Sequence, residues 1–203
     1  MTLDRFRPQM AGYFGPLIRF LARVGVTPDS CTMVAFGGAI AAGVAFYFGA
    51  IAIGVAAVGI NAVFDAMDGA IAREKGIAST RGDFLDHVLD RYADIFIITG
   101  IFAGPIAGWE IGVFALTGVL MSSYLGTQAQ AVGVGRFYGG ILGRADRLVL
   151  LIIAGLLDLS MAGGILQMKV LAWLLVIFGI FGHFTAAQRF VHVWRSMQKS
   201  QNQ

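Results

Sequence analysis

The sequence predicts an all-α integral membrane protein, with six transmembrane helices preceded by an N-terminal amphipathic helix on the membrane surface. Three observations carry this. Hydrophobic residues make up 57% of the 203 residues and charged residues 13%, against roughly 45–50% and about 25% in a soluble domain. The mean hydropathy is +0.75. Apolar stretches near the length that crosses a bilayer, about 20 residues, recur between short loops, and 28 glycines suit close helix–helix approach there. The single cysteine, Cys31, excludes an internal disulfide framework and a thiolate zinc site. The net charge of +3 and pI of about 9.3 point to topology and contact with anionic headgroups, with no nucleic-acid partner.

The first segment, Leu3 to Val24, sets Leu3, Phe6, Met10, Phe14, Leu17, Ile18 and Leu21 near helical spacing, interrupted by Arg5, Arg7, Arg19 and Arg23. That is the pattern of a helix lying in the membrane surface. A secretory signal peptide needs a clean apolar centre and a small-residue cleavage site, and Arg19 and Arg23 leave neither. Six apolar stretches follow, roughly Ser30–Phe48, Ala50–Ala72, Gly82–Gly104, Ile111–Gly133, Leu148–Ser160 with some flank, and Val170–Val191. The fifth is the shortest and begins near Gly143, with a polar first turn in the interface. The chain reads as one membrane domain over 1–203, with residues 1–25 as the juxtamembrane helix and 30–195 as the six-helix core.

Lysine and arginine cluster at alternate ends of these stretches. Arg5, Arg7, Arg19 and Arg23 precede the first; Arg73, Lys75, Arg81 and Arg91 surround the second turn. Arg136, Arg144 and Arg147 lie between the fourth and fifth, and Arg189, Arg195 and Lys199 end the chain. The opposite loops, near Gly49, Gly104–Glu110 and Leu159–Gln167, are free of them, with Lys169 beside the last. The positive-inside rule then predicts a multi-pass cell-membrane protein with both termini in the cytoplasm.

The informative stretch runs from Asn61 to Asp94. Seven of the twelve acidic residues lie between Asp65 and Asp94, six of them aspartates. Asp65 and Asp68 are about 60° apart on one helix, and Asp86 and Asp90 about 40° apart on the next. The helices are antiparallel across a short cytoplasmic turn. Asp65 precedes Arg73 by as many residues as Asp90 follows Gly82, so both lie about 12 Å from the cytoplasmic end. Asp68 and Asp86 pair at a shallower level. Four carboxylates are thus expected to meet in one cleft open to the cytoplasm.

Carboxylates inside a membrane cost several kcal/mol each unless compensated. Divalent cations are the obvious compensation, and oxygen ligands without His or Cys favour Mg²⁺ or Mn²⁺ over Zn²⁺. Two such ions suit an in-line displacement at phosphorus. A structural cluster salt-bridged to Arg73, Arg81 or Arg91 is the bland alternative, but the aspartates are too many for it. An aspartate-lined cation or proton path in a transporter is another alternative, which spacing alone leaves open. Gly69, next to Asp68, either admits a nucleotide or pyrophosphate or serves helix packing. Arg73 either binds phosphate or anchors the helix end.

Written as a pattern, Asp65 to Asp90 is D-x2-D-G-x2-A-R-x8-G-x3-D-x3-D, with Asp65, Asp68, Gly69, Ala72, Arg73, Gly82, Asp86 and Asp90 at the fixed positions. This resembles the signature of the CDP-alcohol phosphotransferases, and the six-span layout resembles that family across nearly the whole chain. The resemblance displaces the transporter reading. It implies transfer of a phosphatidyl-type group from a CDP-linked lipid to an alcohol, with release of CMP. It implies two Mg²⁺ or Mn²⁺ ions held by Asp65, Asp68, Asp86 and Asp90, with Asp90 also the general base. It implies CDP-lipid contacts from Gly69, Arg73, Gly82 and Ser79 or Thr80, and from Thr27-Pro28-Asp29-Ser30, which also reads as a helix N-cap. It further implies membrane-lipid contact and a homodimer.

Within the family the chain looks most like archaeal and actinobacterial enzymes that use inositol phosphate. Gly143-Arg144-Ala-Asp146-Arg147-Leu148 resembles their basic stretch, and Gln188-Arg189 a further phosphate-binding position. Arg144, Arg147 and Arg189 are the expected acceptor-phosphate pocket, with helix anchoring as the alternative. Those enzymes carry a Lys or Arg after a Ser-Tyr pair; here Ser123-Tyr124 is followed by Gln128 and Gln130, which bond hydroxyls without adding charge. Glycerol 3-phosphate is the alternative acceptor. Asp94 lies one turn beyond Asp90, outside the motif, with His87, Arg91, Tyr92 or Asn61 as expected partners. His183 and His192 read as interface residues rather than ligands.

Overall fold

The computed structural model describes residues 15–16, 18–21, 23–77, 79–135, 140, 142–161 and 163–201. Most of the expected surface helix, with Arg5 and Arg7, and Arg136 lie outside the described residues. Among the described residues are six long helices: α1 Pro28–Tyr47, α2 Ile51–Glu74, α3 Thr80–Ala103, α4 Trp109–Ala131, α5 Arg144–Ser160 and α6 Val170–Gln201. They coincide with the six apolar stretches. Four of them, α1, α2, α4 and α6, are long and apolar enough to cross a membrane by themselves. The other two differ for visible reasons. Asp83, Asp86, Asp90, Arg91 and Asp94 crowd α3 with charge, and α5 has 17 residues.

Local chemistry places the helix ends. Thr27 caps α1 in a reciprocal box: the Thr27 hydroxyl accepts from Ser30 N–H, and Ser30 Oγ accepts from Thr27 N–H, both at 3.2 Å. Ser79 caps α3 by accepting from Gly82 N–H at 3.1 Å. α2 ends at Gly76, φ +63°, with Ile77 N–H donating to Ala72 O at 3.0 Å and Gly76 N–H to Arg73 O at 3.2 Å. This glycine-terminated stop reverses the chain into α3. At the other end of the bundle, buried Asp158 of α5 accepts from Val170 N–H at 2.7 Å and Leu171 N–H at 2.9 Å, capping α6.

The helices form a closed ring. α1 packs on α2 and α3, α2 on α5, α5 on α6, α6 on α4, and α4 on α3. The core is built of small and large apolar side chains in alternation, Ala39, Ala42, Phe46, Val58, Ile97, Ile101, Val119, Leu151, Leu175 and Phe178 among them. Outward faces carry exposed Phe48, Phe84, Phe114, Leu156 and Trp194, the exterior expected of helices set in lipid. One consequence matters for the site: α2 and α3 are consecutive and antiparallel, yet they lean on α1 and not closely on each other.

Glycine makes that possible. A Cβ at Gly43 would stand 2.5 Å from Phe96 O, and one at Gly100 would strike the backbone of Gly43, so α1 and α3 touch main chain to main chain. A Cβ at Gly182 would lie 2.6 Å from the Gly118 carbonyl carbon, marking the same device between α6 and α4. Gly100→Ala should therefore force α1 and α3 apart and cost about 1–3 kcal/mol. Gly37→Ala, where a Cβ meets nothing within 4 Å, should be neutral. Thermal unfolding in detergent compares them, and equal Tm values would refute the close crossing.

Candidate active site

The expected four-carboxylate cluster is met in part: three of the aspartates form one group, and Asp90 falls outside it. Carboxylate oxygens of Asp65, Asp68 and Asp86 lie within 4.8 Å of one another, bringing α2 and α3 together at one level. A second group of the same span joins Asp86, His87 and Asp90. His87 Nε2 also lies 3.5 Å from Asp83, and Nδ1 3.9 Å from Asp86. Three hard oxygen donors this close fit one or two divalent cations, since each metal–oxygen bond is about 2.0–2.1 Å for Mg²⁺. The donor set of the first group is all carboxylate, which suits Mg²⁺ or Mn²⁺.

Two polar residues that the spacing argument left out hold this cluster. Thr32 Oγ1, one turn inside α1, donates to Asp68 Oδ2 at 2.8 Å, and Gly69 N–H donates to Asp68 Oδ1. Asn61, 1% exposed, donates through Nδ2 to Ala35 O at 2.8 Å and accepts from Arg144 Nη2 at 3.5 Å. Asn61 stands in the sequence as a polar residue among apolar neighbours, one turn before Asp65, whereas Thr32 belongs to the polar start of α1. Their partners were not visible, because those lie on other helices.

The expected CDP-lipid residues lie at the ends of α1, α2 and α3. Thr27 and Ser30 cap α1, Ser79 caps α3, and Arg73 lies one turn beyond Gly69 at the same end. Lys75 Nζ donates to Val26 O at 2.7 Å and ties the end of α2 to the segment before α1. Gly69 is informative here. A Cβ there would meet nothing but the end of the flexible Arg73 side chain, at 3.2 Å, and one at Gly82 would touch Ser79 Oγ at 3.4 Å. Neither glycine is demanded by packing, unlike Gly43 or Gly100.

The three arginines expected to form one acceptor pocket are not equivalent. Arg144 Nη1 donates to Asp65 Oδ1 at 2.7 Å and also contacts Asp90 Oδ1. Arg147 Nη2 donates to Asp94 Oδ2 at 2.7 Å, with both side chains buried. Arg189 Nη1 donates to Ser122 O. The partner of Asp94 is therefore Arg147, with Arg91 more distant at 3.9 Å; of the partners expected from sequence, His87, Tyr92 and Asn61 do not supply that bond. A narrow cleft runs past Thr32, Asn61, Asp65, Asp90 and Arg144. A small cavity between α4, α5 and α6 meets Ser122, Arg147 and Thr185. The first turn of α5 faces both spaces. Gln128 is half-buried on α4. His183 stacks on Phe114 with ring centres 4.9 Å apart, a helix-packing contact.

Residues 25–193 match the family described as CDP-alcohol phosphatidyltransferase. The archaetidylinositol phosphate synthase of Methanothermobacter thermautotrophicus is 32% identical over 196 residues, covering 97% of this chain and 96% of that protein. That of Pyrococcus horikoshii is 31% identical over 172 residues, 85% of this chain and 91% of its own. The crystal structure of Mycobacterium tuberculosis phosphatidylinositol phosphate synthase with CDP-DAG bound shares the fold with a TM-score of 0.74 at 28% identity, over 88% of this chain and 92% of that one. The same enzyme in complex with manganese and citrate gives 0.75 at 28% identity, over 88% of each chain. The likeness is spread over the whole ring of helices and includes the two that carry the aspartates, and on that evidence the chain belongs to the CDP-alcohol phosphatidyltransferase family and is an enzyme of it.

Proposed function

We propose that this enzyme transfers the phosphatidyl-type group of a CDP-linked lipid, CDP-diacylglycerol or CDP-archaeol, to the hydroxyl of inositol phosphate and releases CMP. The observation that carries the reading is the set of Asp65, Asp68 and Asp86 oxygens within 4.8 Å, beside an arginine that reaches both Asp65 and Asp90. The inositol-phosphate synthases among its relatives support the acceptor.

Asp65, Asp68, Asp86 and Asp90 would hold two Mg²⁺ or Mn²⁺ ions. Such ions supply charge stabilisation at the pyrophosphate and the leaving CMP. Thr32 and the Gly69 N–H fix the Asp68 carboxylate. The bare Cα of Gly69 lets the diphosphate approach the main chain, with Arg73, Ser79 and Thr80 at the helix ends. The acceptor hydroxyl attacks the lipid-side phosphorus; its O–P bond forms as the P–O bond to CMP breaks. Asp90 takes the hydroxyl proton. Arg144, next to Asp90, and Arg189 draw the acceptor phosphate to within reach of that base, since guanidinium–phosphate hydrogen bonds are roughly twice as strong as neutral ones. The Nε atom of Arg144 is buried without a hydrogen-bond partner among the described residues, so this guanidinium keeps an unused donor beside the cleft. α3 and α5 cross the membrane within the ring, completing six spans with both termini cytoplasmic.

EDTA should abolish CMP release and Mg²⁺ or Mn²⁺ should restore it, while Asp90→Asn should lower kcat by about 10²–10⁴-fold even with metal present. Full turnover in chelator would remove the metal reading. For topology, Ser79→Cys and Ala107→Cys in a Cys31→Ala background should react with impermeant maleimide from opposite faces of sealed vesicles; labelling from one face contradicts the six spans. For the acceptor, Arg144→Ala or Arg189→Ala should lower kcat/KM for inositol phosphate by about tenfold or more, with the CDP-lipid KM little changed. Equal use of inositol and inositol phosphate by the unmutated enzyme would end the phosphate-pocket reading. Preference for glycerol 3-phosphate would favour the alternative that Gln128 and Gln130, in place of a basic residue, leave open.

A further inference from the structure

Asp94 lies outside the family signature and outside the chemistry described above, yet it is among the most buried charged groups of the bundle, 5% exposed. Its carboxylate is held by Arg147, itself 6% exposed, through Nη2 at 2.7 Å. A buried ion pair is weak evidence of stabilisation, because desolvation offsets the attraction, and apolar residues of similar volume often serve the fold as well or better. Its geometry suggests a different purpose.

α3 rests on α1 and α4, whereas α5 rests on α2 and α6. Two ion pairs join α3 to α5 across the interior. Arg147 meets Asp94, and Arg144 meets Asp90 together with Asp65 of α2. The arginines are three residues apart on α5, a rise of about 4.5 Å, and the aspartates four apart on α3, a rise of about 6 Å. The pairs form two rungs of a ladder. The deeper rung is buried on both sides, 7% and 6% exposed. The outer rung lies in the cleft beside partly exposed Asp65 and Asp86. α5 begins at Gly143, whose lack of a side chain leaves its own cap to Asp146 Oδ2, which accepts from Gly143 N–H at 2.9 Å. Nothing in that local bond sets the depth or rotation of the helix against α3.

We infer that Asp94 is a positioning residue: by engaging Arg147 it sets the register of the first turn of α5, so that the Arg144 guanidinium arrives between Asp65 and Asp90. Arg147 is then committed to the scaffold, and the acceptor side of the site is left to Arg144 and Arg189. This builds on the proposed acceptor role only in naming what Arg144 meets; the register itself stands on the two ion pairs.

The test is a set of variants of the purified full chain, assayed by CMP release with whichever of inositol phosphate, inositol and glycerol 3-phosphate supports turnover. Asp94→Asn strands a buried guanidinium and should lower Tm by about 5 °C or more together with activity. Asp94→Leu/Arg147→Met removes both charges and should recover most of the Tm. Its acceptor kcat/KM should nonetheless stay down by about tenfold or more, because a misplacement of about 1 Å is that costly, while the CDP-lipid KM moves less than about twofold. Adding Arg144→Lys to the double variant should cause little further loss compared with Arg144→Lys alone, since the two changes remove the same placement. The inference is overturned if the double variant has the acceptor kinetics of the unmutated enzyme, or if the losses multiply. It is overturned too if the double variant does not fold, for the pair would then hold the bundle and not the register. Failure of the acceptor reading looks different: donor and acceptor constants would shift together in Arg144→Lys, with the non-additivity intact.

Discussion

Carboxylates drawn together among apolar helices must be answered by something, and that requirement organises one half of this protein. Asp65, Asp68 and Asp86 meet within 4.8 Å, too close for their charges to coexist without compensation. The fold answers with a polar layer drawn from four helices. Thr32 comes from α1, Asn61 and two of the aspartates from α2, Asp86 and Asp90 from α3, and Arg144 from α5. The other half of the bundle needs no such layer and is filled by Phe46, Ile101, Leu171 and Leu175.

That layer is accessible because of how the helices are ordered around the ring. Had α2 and α3 packed directly, as a hairpin of helices commonly does, the aspartates would face each other across a closed seam. Instead α1 approaches α3 closely at Gly43 and Gly100, and α2 and α3 diverge around a cleft. The glycines of this chain thus fall into two kinds. Gly43, Gly100, Gly118 and Gly182 have main chain where a Cβ would stand, and they bring helices together. Gly69 and Gly82 face only the side chains of Arg73 and Ser79, with no main chain where a Cβ would stand. Composition alone does not distinguish these kinds; the neighbour across the helix does.

The arginines divide in the same way. Arg144 and Arg147 lie in the first turn of α5 and Arg189 well inside α6, all three in the same half of the bundle as the aspartates. Their surroundings separate them: Arg144 shares the aspartate cleft, Arg147 is bound to a buried aspartate, and Arg189 leans on the main chain of α4 at Ser122. A charged side chain one turn along a helix can therefore pass from binding machinery to scaffold.

Six helices, and the two that carry the aspartates, were legible in the sequence, because each depends on spacing within one segment; the last helix runs on past the expected Val191 to Gln201. Hydropathy runs set the helices, Thr27 sets a cap, and the three- and four-residue intervals set which carboxylates share a face. The same intervals carried the family signature. What only the tertiary structure decided were the cross-helix partners: Thr32 with Asp68, Asn61 with Ala35 and Arg144, Asp158 with the start of α6, and Arg147 with Asp94. Periodicity places a residue on a face and at a depth. It carries no information on which helix stands opposite, since that follows from the order and rotation of helices around the ring, fixed by packing between segments far apart in the chain.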